Sequence, residues 1–309
     1  MELIRGLHNL RPEHRGCVAT IGNFDGVHLG HQAVIGQLAE KAAELCLPAV
    51  VVTFEPQPLE YFAADKAPSR LTRFREKLQA LRRYAIDRIV CLPFNKKLAN
   101  LSYKEFIQQI LIDGLDVKYL VIGDDFRFGK NREGHFEHLL EAGKQHGFQV
   151  VNMHTFAIND ERVSSTGIRH ALEQGDMAKA EQLLGRDYRM SGRVAHGEKL
   201  GRQLGYPTAN IHIHRKVSPL QGIFVVEVYG LEGEPLAGVA SIGTRPTLDG
   251  TKVILEVFLF DFDQNIYGRH LQVSFLKKIR DEERFESLEV LKDKIAEDVE
   301  KAKAYFSII

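Results

Sequence analysis

Residues 17–54 read CVATIGNFDGVHLGHQAVIGQLAEKAAELCLPAVVVTF. The runs at either end, CVATIG (17–22) and AVVVTF (49–54), are short and β-branched, as strands are. Between them GHQAVIGQLAEKAAELC (30–46) sets Val34, Ile35, Leu38, Ala42 and Leu45 at helical spacing, giving one apolar face to lie on a sheet. The same strand–helix alternation continues outward: a helix over 72–83, RIVCLPF (88–94) as a strand, a helix over 103–112, and YLVIG (119–123) as a strand. A helix over 136–146 and the strand FQVVNMH (148–154) follow. Ser102 and Glu105 form an S-x-x-E capping box that fixes the start of the 103–112 helix. Alternation of this kind predicts a doubly wound, Rossmann-like α/β domain on a parallel sheet.

The pattern changes after two short helices, 166–174 and 177–184. From about residue 190 the chain offers GIFVVEVYG (222–230), LAGVASIG (236–243), KVILEVFLFDF (252–262) and HLQVSFLKKIR (270–280). Closely spaced strands broken by Gly and Pro predict an antiparallel β-barrel. Leu288, Leu291, Ile295, Val299 and Ala302 then line one stripe of a terminal helix over 287–306. We therefore expect two domains, 1–186 and 187–309, which suits a length of 309 residues.

Composition narrows the function classes. Hydrophobic residues make up 44% and charged residues 27%, as in globular proteins with real cores. Lys plus Arg and Asp plus Glu are 41 each, and the tallies are 25 to 24 before residue 191 and 16 to 17 after it. Neither half is a basic nucleic-acid or membrane-surface module. The three cysteines have no CxxC spacing, which argues against a zinc site and for a reducing compartment. The N-terminus lacks the apolar core of a signal peptide and no stretch has the length of a membrane span, so a cytoplasmic protein is expected, with no membrane or nucleic-acid partner. The oligomeric state is left open.

The chemistry starts in GNFDGVHLGH (22–31). His28 and His31 flank Gly30 where the first strand enters its helix, and helix-start amides make an anion site. Two imidazoles beside those amides can hold triphosphate oxygens and steady the charge developing at the α-phosphorus. With 13 His and 26 Gly, about 0.05 His-x-Gly-His matches are expected by chance, so position after a first strand adds the weight. Asp25 could contact ligand or satisfy loop amides, with equal standing.

Together with GDDFRFG (123–129) and RVSSTGIR (162–169), this loop resembles the adenylyltransferase half of the bacterial bifunctional riboflavin kinase/FMN adenylyltransferases, the FAD synthetases. The resemblance implies ATP-binding roles for Gly22, Phe24, Asp25, His28, His31, Asp125, Arg162, Ser165, Thr166 and Arg169. Ser165 and Thr166 at a helix start, next to arginines, offer the donors a phosphate takes. Phe62 and Phe128 are candidates for stacking on the flavin. TFEPQPLEYF (53–62) resembles the family's Phe-x-Pro-His-Pro segment but carries Gln57 where histidine is common.

The second half contains GRQLGYPTAN (201–210), similar to the riboflavin kinase motif and implicating Gly201, Pro207, Thr208 and Asn210. The Thr208 hydroxyl and Asn210 amide are oxygen ligands suited to a Mg²⁺ carried by ATP. Glu256, in ILEVFLFDFD (254–263), stands where the family has its catalytic base. Arg280 matches an arginine near the flavin, although an ion pair with the adjacent acids explains it equally. SIGTRPTLDG (241–250) resembles the kinase flap, with Leu248 where Phe is frequent. The implied reaction runs from riboflavin to FMN to FAD, using ATP and Mg²⁺, with no covalent enzyme intermediate. Two rival readings follow from the same residues: a synthetase-like RNA binder, opposed by the neutral halves and the absence of a Lys-Met-Ser-Lys-Ser segment, and a barrel that only binds flavin.

Overall fold

The computed structural model describes residues 1–153, 156–158, 161–197, 201, 204–247 and 250–308. The chain divides into two compact units, Met1–Pro68 with Thr72–Ser164, and Ser69–Leu71 with Ser165–Ile309.

The first unit runs β1 (Glu2–Arg5), β2 (Cys17–Ile21), α1 (Leu29–Leu45), β3 (Ala49–Glu55), α2 (Pro58–Phe62), α3 (Phe74–Leu81), β4 (Arg88–Pro93), α4 (Lys96–Ala99) and α5 (Tyr103–Phe106). A π-helical turn over Ile107–Ile112 extends α5; β5 (Val117–Gly123), α6 (Phe136–His146) and β6 (Gln149–Met153) follow, then the small pair β7 (Ala157–Ile158) and β8 (Glu161–Arg162). Six strands form one sheet in the order β1-β4-β3-β2-β5-β6, every pair parallel. The pleat sends Cys17, Ala19, Val50, Val52, Leu120 and Ile122 into one core and Val18, Val51, Tyr119 and Val121 into the other. Both faces are therefore covered, which is why these strands read as unbroken apolar runs. The capping box is formed: Ser102 Oγ accepts from the Glu105 amide and Glu105 accepts from the Ser102 amide.

Strand order reverses beside β2, with β3 and β4 on one side and β5 and β6 on the other. Ligands of open α/β sheets bind at the carboxyl ends flanking such a reversal. The segments that leave β2 and β5 there are GNFDGVH and DDFRFG.

The second unit holds α7 (Ser165–Gln174), α8 (Met177–Leu184), β9 (Tyr188–Ala195), β10 (Thr208–His212), β11 (Gly222–Tyr229), β12 (Leu236–Thr247), β13 (Gly250–Leu259), β14 (His270–Arg280) and α9 (Leu288–Ile308). The six strands close as β10-β13-β12-β11-β14-β9, all antiparallel. The sequence marked four of them; β9 and β10 are additions, as is the short edge strand β1. Helix α8 packs on β14 and β9, and α9 on β11, β12 and β14. Residues 165–184 thus pack with the barrel, whereas the change in sequence pattern falls near 186.

The segment Ser69–Leu71 is held by its carbonyls. Arg169 Nε donates to Ser69 O at 2.6 Å, Tyr188 Oη to Leu71 O at 3.0 Å, and Arg215 to both Arg70 O and Leu71 O.

Candidate functional site

The Gly-rich loop of the first unit owes its shape to left-handed backbone. Phe24, Gly26 and Val27 have φ of 49°, 84° and 44°; for Phe and Val that conformation is strained. Burial fixes it, because both side chains are sealed in the core under α1. Asp25 tightens the loop from the other side: its carboxylate accepts from the Thr72 amide at 2.9 Å and the Thr72 hydroxyl at 3.2 Å, and that hydroxyl accepts from the Gly26 amide. Of its two readings, the loop-holding one has a visible basis.

His28 is the N-cap of α1, its Nδ1 accepting from the His31 amide at 3.3 Å. A neutral ring that accepts at Nδ1 carries its proton at Nε2. The two rings stack with centroids 3.6 Å apart at 16°, and Phe24 leans on His31 at 5.1 Å. Burial, then His28, then Lys77 push the His31 pKa well below its ordinary 6.5, so at neutral pH the ring is an uncharged donor and acceptor. Seven buried polar atoms of this unit have no hydrogen-bond partner among the described residues, Thr20 Oγ1, His31 Nδ1 and Gln57 Nε2 among them. Of these three residues, Thr20 is near the carboxyl end of β2, Gln57 is two residues past β3, and His31 is in the first turn of α1. Buried groups without a protein partner have room for water or a ligand to complete the network.

Two further residues singled out by sequence meet here: Arg162 Nη2 contacts Asp125 Oδ2 at 2.7 Å and Asp124 Oδ1 at 3.6 Å. Both partners are largely exposed, so the pair adds little stability. Ser165, Thr166 and Arg169 lie in α7, at and just after its start, in the second unit. The aromatic candidates separate. Phe62 is 65% exposed against Tyr61 and Phe94, whereas Phe128 is 5% exposed and packs on Phe106 and Phe126. Phe128 is a core residue here, with no free ring face for stacking.

Sequence reasoning missed Lys77 and Thr53, both wholly buried. Lys77 Nζ donates to Thr53 Oγ1 at 3.4 Å, and Thr53 Oγ1 donates to Asn23 O in the loop at 3.4 Å. The available signal was a lysine inside the i, i+3, i+4, i+7 stripe Phe74, Lys77, Leu78, Leu81, where an apolar residue is expected.

In the second unit, Val253, Leu255, Val257 and Leu259 are buried and Glu256 is half-buried on the opposite face of β13. Glu256 is thus no misplaced core residue; it belongs to an outer face that something must cover. Its lateral neighbours are Asn210 on β10 and Ser241 on β12, and same-face neighbours across strands lie within side-chain reach. This face, with α9 and residues 282–285, lines a cavity of about 650 Å³ containing Gly201, Thr208, Asn210, Glu256 and Arg280. That size suits a small-molecule site. Gly201 lies so close to Tyr206 O that a Cβ would come within 2.4 Å of it, with Thr208 Oγ1 3.2 Å away, so only glycine lets the loop close over Thr208. Pro207 is exposed. Arg202, Gln203 and Leu248 lie outside the described residues.

Arg280 is not paired with the acids on a solvated surface. Its Nε and Nη2 reach both oxygens of Asp298 on α9 at 2.8–3.0 Å, with side chains 12% and 3% exposed, and its guanidinium lies over Phe285. Asp298, like Glu282, whose carboxylate reaches Ser241 Oγ at 3.4 Å, was not legible because tertiary packing alone brings it to the cavity.

Comparison with known proteins finds a match for each half of the chain. A family model described as FAD synthetase matches residues 10–167, and one described as riboflavin kinase matches 184–306. The bifunctional riboflavin kinase/FMN adenylyltransferase of Escherichia coli (strain K12) is 50% identical over 100% of this chain and 99% of its own. Its counterpart from Pseudomonas fluorescens is 52% identical over 98% and 97%. A crystal structure described as a macrolide-efflux protein from Streptococcus pneumoniae superposes with a TM-score of 0.81 at 30% identity, over 96% of this chain and 97% of that one. No described helix here is long and apolar enough to cross a membrane. Full-length identity at this level, with a match to each half, places this chain in the family of bifunctional riboflavin kinase/FMN adenylyltransferases.

Proposed function

We infer that the chain makes FAD from riboflavin at two separate sites, residues 1–186 adenylylating FMN and 187–309 phosphorylating riboflavin, in the cytoplasm. The observation that carries this division is the contrast in chemistry: a stacked histidine pair on a helix N-terminus in one unit, a strand carboxylate facing a cavity in the other.

The contrast is what the two reactions require. The riboflavin 5′-hydroxyl is a neutral alcohol and needs a base; Glu256 accepts its proton as the oxygen attacks the γ-phosphorus of ATP and ADP leaves. The FMN phosphate is already anionic at neutral pH. Its oxygen attacks the α-phosphorus and pyrophosphate leaves, so that site needs alignment and charge stabilisation, supplied by His28, His31 and the first amides of α1. Arg162 and Asp125, with Ser165, Thr166 and Arg169, are assigned to the nucleotide, and Phe62 and Arg280 to the flavins.

The kinase donor set fits a hard cation. Thr208 and Asn210 present neutral oxygen ligands, with the Glu256 carboxylate lateral to Asn210, oxygen donors of the kind a hard cation shared with a nucleotide takes. Thr208 and Asn210 would hold such an ion, which neutralises phosphate charge when bound.

The test is incubation with riboflavin, ATP and Mg²⁺, followed by chromatography of riboflavin, FMN and FAD. His28→Ala should lower FAD formation from FMN by about 10²–10³-fold and spare FMN formation. Glu256→Gln should lower FMN formation by about 10²–10⁴-fold and spare FAD formation from added FMN. Equal loss of both steps in either variant overturns the division.

A further inference from the structure

Lysine is almost never fully buried without a specific reason, because its charge must be compensated. Lys77 is 0% exposed, on α3 with Leu81, which is equally buried. Its amine faces the floor of the loop that carries the two histidines: Nζ meets Thr53 Oγ1 at the carboxyl end of β3, and the same hydroxyl donates to Asn23 O, one residue into the loop. The chain of contacts runs from α3 through β3 to the loop that the strained φ angles of Phe24 and Val27 shape. The amine also opposes protonation of His31, a smaller cause than burial and His28. The orphaned His31 Nδ1, Thr20 Oγ1 and Gln57 Nε2 belong to the same end of the sheet.

We propose that Lys77 is a positioning residue for the triphosphate of ATP in FMN adenylylation: through Thr53 it fixes the Asn23 segment of the loop, and its solvent-shielded charge complements the polyphosphate held by His28 and His31. A buried cation acts over a short distance in low dielectric and needs no contact with the reacting atoms. The anion gains from it most strongly where charge is densest, at the pyrophosphate end that becomes the leaving group. The proposal rests on the assignment of the histidine loop to ATP.

The experiment uses the full chain with FMN, ATP and Mg²⁺, measuring kcat, the KM for ATP, the KM for FMN and inhibition by inorganic pyrophosphate. Lys77→Met should raise the ATP KM and weaken pyrophosphate inhibition by about tenfold or more, leaving the FMN KM within about threefold. Lys77→Arg should recover part of that loss, and Thr53→Val should reproduce its direction at smaller size. Hydrogen exchange of the parallel-sheet amides in the same preparations reports on folding of the first unit, and conversion of riboflavin to FMN on folding of the second. Should Lys77→Met lose both activities, Lys77→Arg and Thr53→Val decide, and wild-type ATP and pyrophosphate behaviour in both overturns the proposal. Unchanged ATP and pyrophosphate constants in an active Lys77→Met overturn it as well. His28→Ala run alongside separates the two claims: if it too leaves ATP binding untouched, the loop assignment fails, whereas a defect in His28→Ala alone removes only the role of Lys77.

Discussion

The Arg280–Asp298 pair joins the end of β14 to α9 across the wall of the barrel-side cavity, and removing half of it has a calculable cost. The Asp298 carboxylate is 3% exposed and takes three short contacts from one guanidinium. Asp298→Ala leaves that guanidinium with Asp281 O and the Phe285 face. Breaking a buried pair on one side costs about 3–5 kcal/mol; those remaining contacts place the expected value near the lower bound, about 3 kcal/mol. Replacing both partners, Arg280→Met with Asp298→Leu, removes the unpaired charge and should return most of the loss, a coupling of about 2 kcal/mol or more. Hydrogen exchange of α9 amides reads the effect locally: an opening free energy lowered by about 3 kcal/mol speeds exchange by about 10²-fold. FMN formation should fall with it, since Arg280 lines the cavity with Glu256. If Asp298→Ala leaves α9 exchange within about threefold of wild type, or the double variant is as damaged as the single ones, the pair does not hold the helix and the reasoning fails.

Two other outcomes follow from buried groups. His31 has a folded pKa below its unfolded 6.5, so on acidification the unfolded chain binds a proton that the native one refuses; stability is full above about pH 6.5 and lost below it. Between pH 7.5 and 5.5 the loss is about 1.4 kcal/mol, visible in denaturant midpoints of the first unit and absent from His31→Gln; an unaltered slope in that variant would refute it. In the second unit, Arg215→Ala removes a donor from Arg70 O and one of the two donors of Leu71 O, and Tyr188→Phe removes the other donor of Leu71 O, at about 0.5–1.5 kcal/mol for each hydrogen bond lost; thermal unfolding with both variants at the wild-type midpoint would show that this segment is not held by its carbonyls.

What sequence reveals depends on whether a residue's role is local. The βα units were legible because strand and helix periods differ, and because both faces of the sheet are covered. The Ser102–Glu105 cap was legible because it spans one turn. Strand β10, TANIH, was not: it carries Thr208 and Asn210 toward a cavity, so the alternation that marks a strand is overwritten by the groups the site needs. The same logic divides the site residues. His28 and His31 declare themselves, because N-cap, helix and loop are consecutive in the chain. Lys77 lies 46 residues from His31 in sequence, and Asp298 lies 18 from Arg280; each is charged, and a charge in sequence reads as surface until packing shows it buried. A helical stripe interrupted by one lysine, as in Phe74, Lys77, Leu78, Leu81, is the form such a residue takes before the fold is known. It carries weight wherever the neighbouring strand ends in a Gly-rich loop, because there a buried amine can hold the loop backbone, as Lys77 does through Thr53 and Asn23 O.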